Sequence, residues 1–115
     1  QKTLEIIKDA LHGVVSDPRG TGRASNIKGI EVAGKTGTAQ VIRMAEIEEK
    51  NDEEIPYEFR DHAWFVAFAP YENPLIAVAV LVEHGGHGGS AAAPIAGKLI
   101  KSYVERQVKV ELKER

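Results

Sequence analysis

The chain has 115 residues, of which 43% are hydrophobic, a length and composition that suit one folded domain or part of one. Its 15 basic and 17 acidic side chains give a formal net charge of −2, which argues against a nucleic-acid or anionic-membrane partner. The absence of cysteine excludes disulfides, thiol catalysis and cysteine-ligated zinc.

The first half of the chain predicts one helix and one strand. Residues 3–15 place apolar side chains at helical spacing, and residues 16–26 form a loop by their Pro and Gly content. The β-branched residues of segment 30–41, with small residues between them, predict an extended chain. Residues 43–60 are rich in Glu and predict a charged insertion loop on the surface.

The second half predicts a hairpin. Residues 62–71 and 75–83 are apolar runs separated by a short turn sequence, which indicates two antiparallel strands. Residues 63–68 alternate between two strand faces, and we expect both faces to be packed. The run 75–83 is apolar nearly throughout, so it is also expected to be covered on both faces.

A closing helix is predicted after the glycine-rich segment 84–90, with Ser90 as its N-cap. Its expected apolar stripe comprises Ile95, Leu99, Ile100, Tyr103 and Val104. The predicted fold class is therefore α+β, a three-stranded antiparallel sheet with the N- and C-terminal helices packed on one face.

The segment Gly29-Ile-Glu-Val-Ala-Gly-Lys-Thr36 fits two motifs with different chemistry. It matches the phosphate-loop pattern, and residues 35–38 also read Lys-Thr-Gly-Thr, a signature of enzymes that acylate a serine. A phosphate loop requires a helix that begins at the Lys-Thr, whereas strand-forming residues precede Lys35 and Gly37 follows soon after it. Glu31 also places negative charge where phosphates would bind. Nucleotide binding is therefore the least favoured hypothesis.

The alternative motif suits an acyl substrate that carries a carboxylate. Lys35 supplies a positive charge, and the hydroxyls of Thr36 and Thr38 face the same side of a strand because they occupy alternate positions. Gly37 has no side chain, so a substrate backbone can lie close to the strand. The N–H of Thr38 is a candidate donor to an oxyanion.

Over residues 3–107 the chain resembles a known family. The segments KTGTAQV, RDHAWFVAFAPYENPLIAVAVLVEHGG and GGSAAAPIAGKLI occur in the order typical of the C-terminal part of penicillin-binding protein transpeptidase domains. More narrowly, they are similar to the class B, elongation-type branch called penicillin-binding protein 2. Residues 43–58 and the tail 108–115 carry no part of the resemblance.

The resemblance implies part of the penicillin-binding, β-lactamase-like transpeptidase fold. It also implies a serine-type DD-transpeptidase that cross-links peptidoglycan stem peptides through an acyl-enzyme and binds β-lactams. Lys35, Thr36, Gly37 and Thr38 would bind the terminal carboxylate of the substrate or antibiotic, with Lys35 and Thr38 as the catalytic members.

The resemblance also implies a cellular setting. The implied partners are stem peptides, β-lactams, the rest of the transpeptidase domain and the cell-wall elongation machinery, with no cofactor, metal or nucleic acid. The parent protein would be anchored in the bacterial cytoplasmic membrane, with its catalytic domain on the periplasmic side.

The family also has a Ser-x-x-Lys motif that carries the nucleophile and a Ser-x-Asn motif. Ser25-Asn-Ile-Lys28 matches the first literally, but it lies in a loop shortly before Lys35, and we interpret it as a chance match. Ser-x-Asn does not occur. We therefore expect a C-terminal fragment of the domain that is inactive alone and able to self-associate through an exposed strand edge. The alternative is a non-catalytic binding module with the same fold.

Three histidines are candidate functional residues. His84 and His87 lie three residues apart among glycines, a pattern that predicts a turn rather than a zinc site. His62, at the start of a predicted strand, is expected to be a hydrogen-bonded strand-end histidine rather than a proton carrier.

Overall fold

The computed structural model describes residues 1–41 and 55–115. Its helices and strands are, in chain order, α1 (Lys2–Ser16), β1 (Ala33–Ala39), β2 (His62–Ala69), β3 (Ile76–Val82) and α2 (Ala93–Glu114). Two 3-10 turns occur at Arg23–Ser25 and Tyr57–Phe59, and one π-helical turn, Gly88–Ala92, leads into α2. Most of the predicted insertion 43–60 lies outside the described residues.

The strands form one antiparallel sheet in the order β1–β2–β3. In its register, Thr36 lies opposite Phe65, and Phe65 lies opposite Val80. These residues define the inner face of the sheet, and their immediate neighbours along each strand define the outer face, because side chains alternate. The predicted α+β class with three antiparallel strands is confirmed.

The core lies between the inner face and the helices. Phe65 and Ile100 are fully buried, and α1 contributes Val15 to the same hydrophobic cluster. Helix α2 contacts β2 and β3, whereas α1 contacts β1. The two helices thus approach neighbouring parts of one sheet and bury a single core.

Helix α2 differs from its prediction at both ends. It begins at Ala93, so the N-cap prediction for Ser90 is wrong. The Ser90 hydroxyl instead donates to the carbonyl oxygen of His87, 3.2 Å away, within the π-helical turn. At the other end α2 reaches Glu114, so residues 108–114, which the sequence set apart as a tail, continue the helix.

The buried stripe of α2 consists mostly of small residues. Of the predicted stripe, Ile100 and Val104 are buried, whereas Ile95, Leu99 and Tyr103 are exposed. The remaining buried positions of the helix are Ala93, Ala96 and Gly97. Small side chains let the helix lie close to its neighbours: a Cβ at Gly97 would lie 3.0 Å from Cα of Ser25 in the 3-10 turn.

The outer face of the sheet is exposed among the described residues. Trp64, Val66 and Leu81 are 39%, 48% and 43% exposed. The expectation that both faces of β2 and β3 are covered is therefore wrong for most of the outer face, where only His62 and Phe68 of β2 are half-buried among the described residues of β2 and β3. The second edge of β3 likewise pairs with no strand in the described part of the chain.

Candidate active site

The Lys-Thr-Gly-Thr segment lies within β1, an edge strand of the sheet. Within the described residues β1 pairs only with β2. Lys35 and Thr36 lie near the middle of this extended segment, so no helix begins at the Lys-Thr pair. The phosphate-loop hypothesis thus lacks the helix N-terminus that it requires.

The register assigns the four side chains of the motif to two faces. Thr36 and Thr38 lie opposite Phe65 and Ala63, so both threonines belong to the inner face. Lys35 and Gly37 belong to the outer face. Both hydroxyls therefore face the same side of the sheet as Phe65, which is the side that packs against α2.

Lys35 carries a positive charge at the surface. It is exposed, and its Nζ donates to the carbonyl oxygen of Thr36 at 2.9 Å, which holds the ammonium group against the backbone of β1. In residues 1–41 and 55–115 no carboxylate lies within salt-bridge distance of it, since the ion pairs there are His12–Glu31 and Arg19–Asp17. The ammonium group is thus available to an anionic ligand.

Gly88, in the turn that precedes α2, packs directly on the motif strand. A Cβ at this buried glycine would lie 2.1 Å from the carbonyl oxygen of Trp64 and 2.8 Å from that of Gly37. No side chain fits there without a shift of the backbone. Sequence reasoning missed this contact, and the glycine cluster at residues 85–89 was its only signal.

A second contact that sequence reasoning missed involves Thr21. Its Oγ1 lies 3.1 Å from Oγ1 of Thr36, a hydrogen bond between a loop hydroxyl and a motif hydroxyl. The loop composition around Thr21 gave no sign of this contact.

Ser25 is placed unlike a nucleophile. It is fully buried in the 3-10 turn, and its Oγ donates to the carbonyl oxygen of Gly22 at 2.8 Å. Lys28 follows in an exposed turn rather than on the next turn of a helix. The interpretation of Ser25-Asn-Ile-Lys28 as a chance match agrees with this geometry.

His62 and His84 form hydrogen bonds at the end of the sheet where β2 begins and β3 ends. His62 is the first residue of β2, and its Nδ1 accepts the backbone N–H of His84 at 2.9 Å, which confirms the predicted strand-end hydrogen bond. The Nδ1 of His84 pairs in turn with the carbonyl oxygen of Arg60 at 2.9 Å. In the described ranges, no three His, Asp or Glu side chains are grouped as a metal site would require.

The family is shown by comparison with known proteins. Residues 1–101 match the sequence profile described as the penicillin binding protein transpeptidase domain. The chain belongs to this transpeptidase family. Similar curated proteins include the peptidoglycan D,D-transpeptidase MrdA of Haemophilus influenzae, 43% identical over 105 residues, which are 90% of this chain and 16% of that protein. The chain thus spans about a sixth of the length of the curated relatives it matches.

Solved structures of the transpeptidase family have the same fold. A complex of PBP2 and MreC from Helicobacter pylori is similar with a TM-score of 0.63 and 34% identity, over 87% of this chain and 16% of that one. Penicillin-binding protein A from M. tuberculosis, described as a ceftriaxone acyl-enzyme complex, is similar with a TM-score of 0.62 and 33% identity, over 83% and 19% of the two chains. These similarities confirm the penicillin-binding transpeptidase fold.

None of the helices in the described ranges combines the length and the apolar character needed to cross a membrane.

Proposed function

We propose that this chain is the C-terminal part of an elongation-type peptidoglycan DD-transpeptidase, which cross-links stem peptides through a serine acyl-enzyme and is acylated by β-lactams. The observation that carries the proposal is the Lys-Thr-Gly-Thr segment 35–38 on an edge strand, with the charge of Lys35 unmatched by any described carboxylate. Family membership and the names of the relatives support it.

The roles proposed for the four residues are those that the family resemblance implies, and their position on an edge strand supports them. Lys35 begins on the outer face and Thr36 on the inner face, so the terminal carboxylate of the stem peptide or antibiotic is bound at the free edge of β1, where the ammonium group of Lys35 and the hydroxyl of Thr36 both reach it. Gly37 lets the ligand backbone lie against β1. The Thr36 carbonyl accepts from Lys35 Nζ. The N–H and C=O groups of successive residues point alternately toward β2 and toward the free edge of β1. Those of Thr38 therefore point in the same direction as those of Thr36. The N–H of Thr38 then donates to the oxyanion of the acylation intermediate.

The nucleophilic serine is supplied by a part of the protein outside this chain. The buried position of Ser25 supports this assignment. We also propose that the exposed outer face and the unpaired edge of β3 contact the rest of the transpeptidase domain. The parent protein is anchored in the cytoplasmic membrane, has this domain on the periplasmic side and acts with the elongation machinery. The complex of a PBP2 with MreC supports the last point.

Acylation of the full-length gene product by a fluorescent penicillin tests the proposal. We expect one covalent adduct per molecule, and Lys35→Ala is expected to lower the second-order acylation rate constant about 100-fold, because it removes charge stabilisation at the site. Lys101→Ala, which removes an exposed lysine of α2, is the matched control and should acylate like the wild type. Reversible penicillin binding without an adduct would instead identify a non-catalytic binding module.

A further inference from the structure

Thr21 lies outside the Lys-Thr-Gly-Thr segment, yet its side chain touches the segment directly. Its Oγ1 lies 3.1 Å from Oγ1 of Thr36. Thr21 is exposed and Thr36 is partly buried, so the pair lies at the surface of the protein beside β1. Each hydroxyl carries one proton and can both donate and accept.

Hydrogen bonds hold the loop that carries Thr21 against the C-terminal end of α1. The carboxylate of Asp17 accepts hydrogen bonds from the backbone N–H of Arg19 at 2.8 Å and from its Nε at 3.2 Å. The Arg19 side chain and N–H thereby lower the pKa of Asp17. The N–H of Gly22 donates to the carbonyl oxygen of Val14 at 2.9 Å. Thr21 therefore sits between two anchored positions.

The turn before α2 closes the other side of this hydroxyl pair. A Cβ at Gly89 would lie 2.3 Å from the carbonyl oxygen of Thr21 and 3.7 Å from Cγ2 of Thr36. Three chain segments therefore meet around the Thr36 side chain: the loop after α1, strand β1 and the π-helical turn. The only hydrogen bond that the described residues give the Thr36 hydroxyl comes from Thr21.

We propose that Thr21 is a positioning residue for the carboxylate-binding site. The inference rests on the proposed function, in which the Thr36 hydroxyl donates to the substrate carboxylate. When Thr21 donates to Oγ1 of Thr36, the proton of Thr36 is directed away from Thr21 and toward the carboxylate. Hydrogen bonds in such a chain strengthen one another. Without Thr21 the Thr36 hydroxyl rotates freely and its proton has no fixed direction.

The test uses the full-length gene product and a penicillin labelled on its acyl side chain. Thr21→Val preserves the shape of the side chain and removes the hydroxyl, and Thr21→Ser restores a hydroxyl. We expect Thr21→Val to lower the second-order acylation rate constant about tenfold, which corresponds to about 1.4 kcal/mol, through weaker initial binding. Thr21→Ser should recover most of the loss.

The methyl ester of the same penicillin separates positioning from general structural damage. It has no carboxylate, so wild type and Thr21→Val are expected to react with it at similar rates. An equal loss with the acid and the ester, no loss with the acid, or no recovery in Thr21→Ser would each overturn the inference. A wild type that forms no adduct would refute the proposed function itself, and this inference with it.

Discussion

The backbone N–H of His84 donates to Nδ1 of His62 at 2.9 Å, and this bond joins the turn after β3 to the first residue of β2. His84 has φ of 53°, in the left-handed region that non-glycine residues rarely adopt. Four residues later Gly88 packs on the backbone of Gly37. The hydrogen bond thus fixes the start of a turn that continues to the candidate active site.

Removal of the His62 acceptor should loosen this turn. In His62→Phe the N–H of His84 has no side-chain partner, and we expect its amide hydrogen to exchange at least about tenfold faster. Hydrogen–deuterium exchange measured by NMR or mass spectrometry reports the change. His62→Asn is the matched control, because its Oδ1 can accept in place of Nδ1. Unchanged exchange in His62→Phe would show that the bond does not hold the turn.

A side chain at position 88 should displace the turn from β1. The Cβ of Gly88→Ala would clash with the backbone of Trp64 and Gly37, so we expect a loss of about 1–3 kcal/mol in the free energy of unfolding and slower acylation of the parent protein. Gly13→Ala is the control, since a Cβ at this position in α1 meets no atom within 4 Å apart from the backbone of its own helix. That variant should be more stable by about 0.5–1 kcal/mol. Wild-type stability in Gly88→Ala would contradict the close approach.

The 115-residue chain alone should form no adduct with penicillin. Its one serine in a Ser-x-x-Lys sequence, Ser25, is fully buried and donates its proton to a carbonyl oxygen. Intact-mass spectrometry after incubation with penicillin checks this expectation, with the full-length protein as the positive control. A stoichiometric adduct on Ser25 would reverse the assignment of the nucleophile to another part of the protein.

The phenol of Tyr71 should lose its proton at an unusually high pH. Its hydroxyl donates to the carboxylate of Asp9, and this hydrogen bond, with lesser contributions from desolvation and nearby acidic groups, raises the pKa of Tyr71 to about 12. The bond stabilises the protonated phenol, so it persists below about pH 10, the ordinary tyrosine pKa, and is lost as the pH rises through about 12.

Ultraviolet difference titration of wild type against Tyr71→Phe isolates this phenol. Asp9→Asn is the matched variant: it keeps an acceptor oxygen but removes the charge, so the Tyr71 pKa should fall toward its ordinary value. A Tyr71 that titrates at about pH 10 in the wild type would contradict the hydrogen bond.

Local sequence patterns predicted the parts of the fold that depend on neighbours along the chain. The strand that contains Lys35 and the hairpin of β2 and β3 follow from β-branched residues, alternation and turn composition. The N-cap assignment to Ser90 failed because the π-helical turn displaces the start of α2 to Ala93. The α2 stripe failed at Leu99 because periodicity favours large apolar residues, whereas the most closely packed positions of the helix hold small ones.

Local sequence patterns could not predict the contacts around the candidate site. Thr21 meets Thr36, and Gly88 meets Gly37, only after the sheet has formed. Neither Thr21 nor Gly88 belongs to a recognised motif. Threonines and glycines are common, so their presence does not indicate which distant residue they will contact. Sequence predicted that the Lys-Thr-Gly-Thr motif lies on a strand, and the fold added the edge position and the two segments that surround the motif.

Trp64 is the only tryptophan in the chain and lies on the outer face of the sheet, 39% exposed. Because an indole emits at shorter wavelength when it leaves water, its fluorescence can report what covers that face. In the isolated chain acrylamide should reach it readily. In the full-length protein, Trp64 should become shielded from the quencher if the rest of the domain packs on the outer face. Other tryptophans of the parent protein would have to be replaced by phenylalanine, which would leave Trp64 as a single optical reporter of domain assembly.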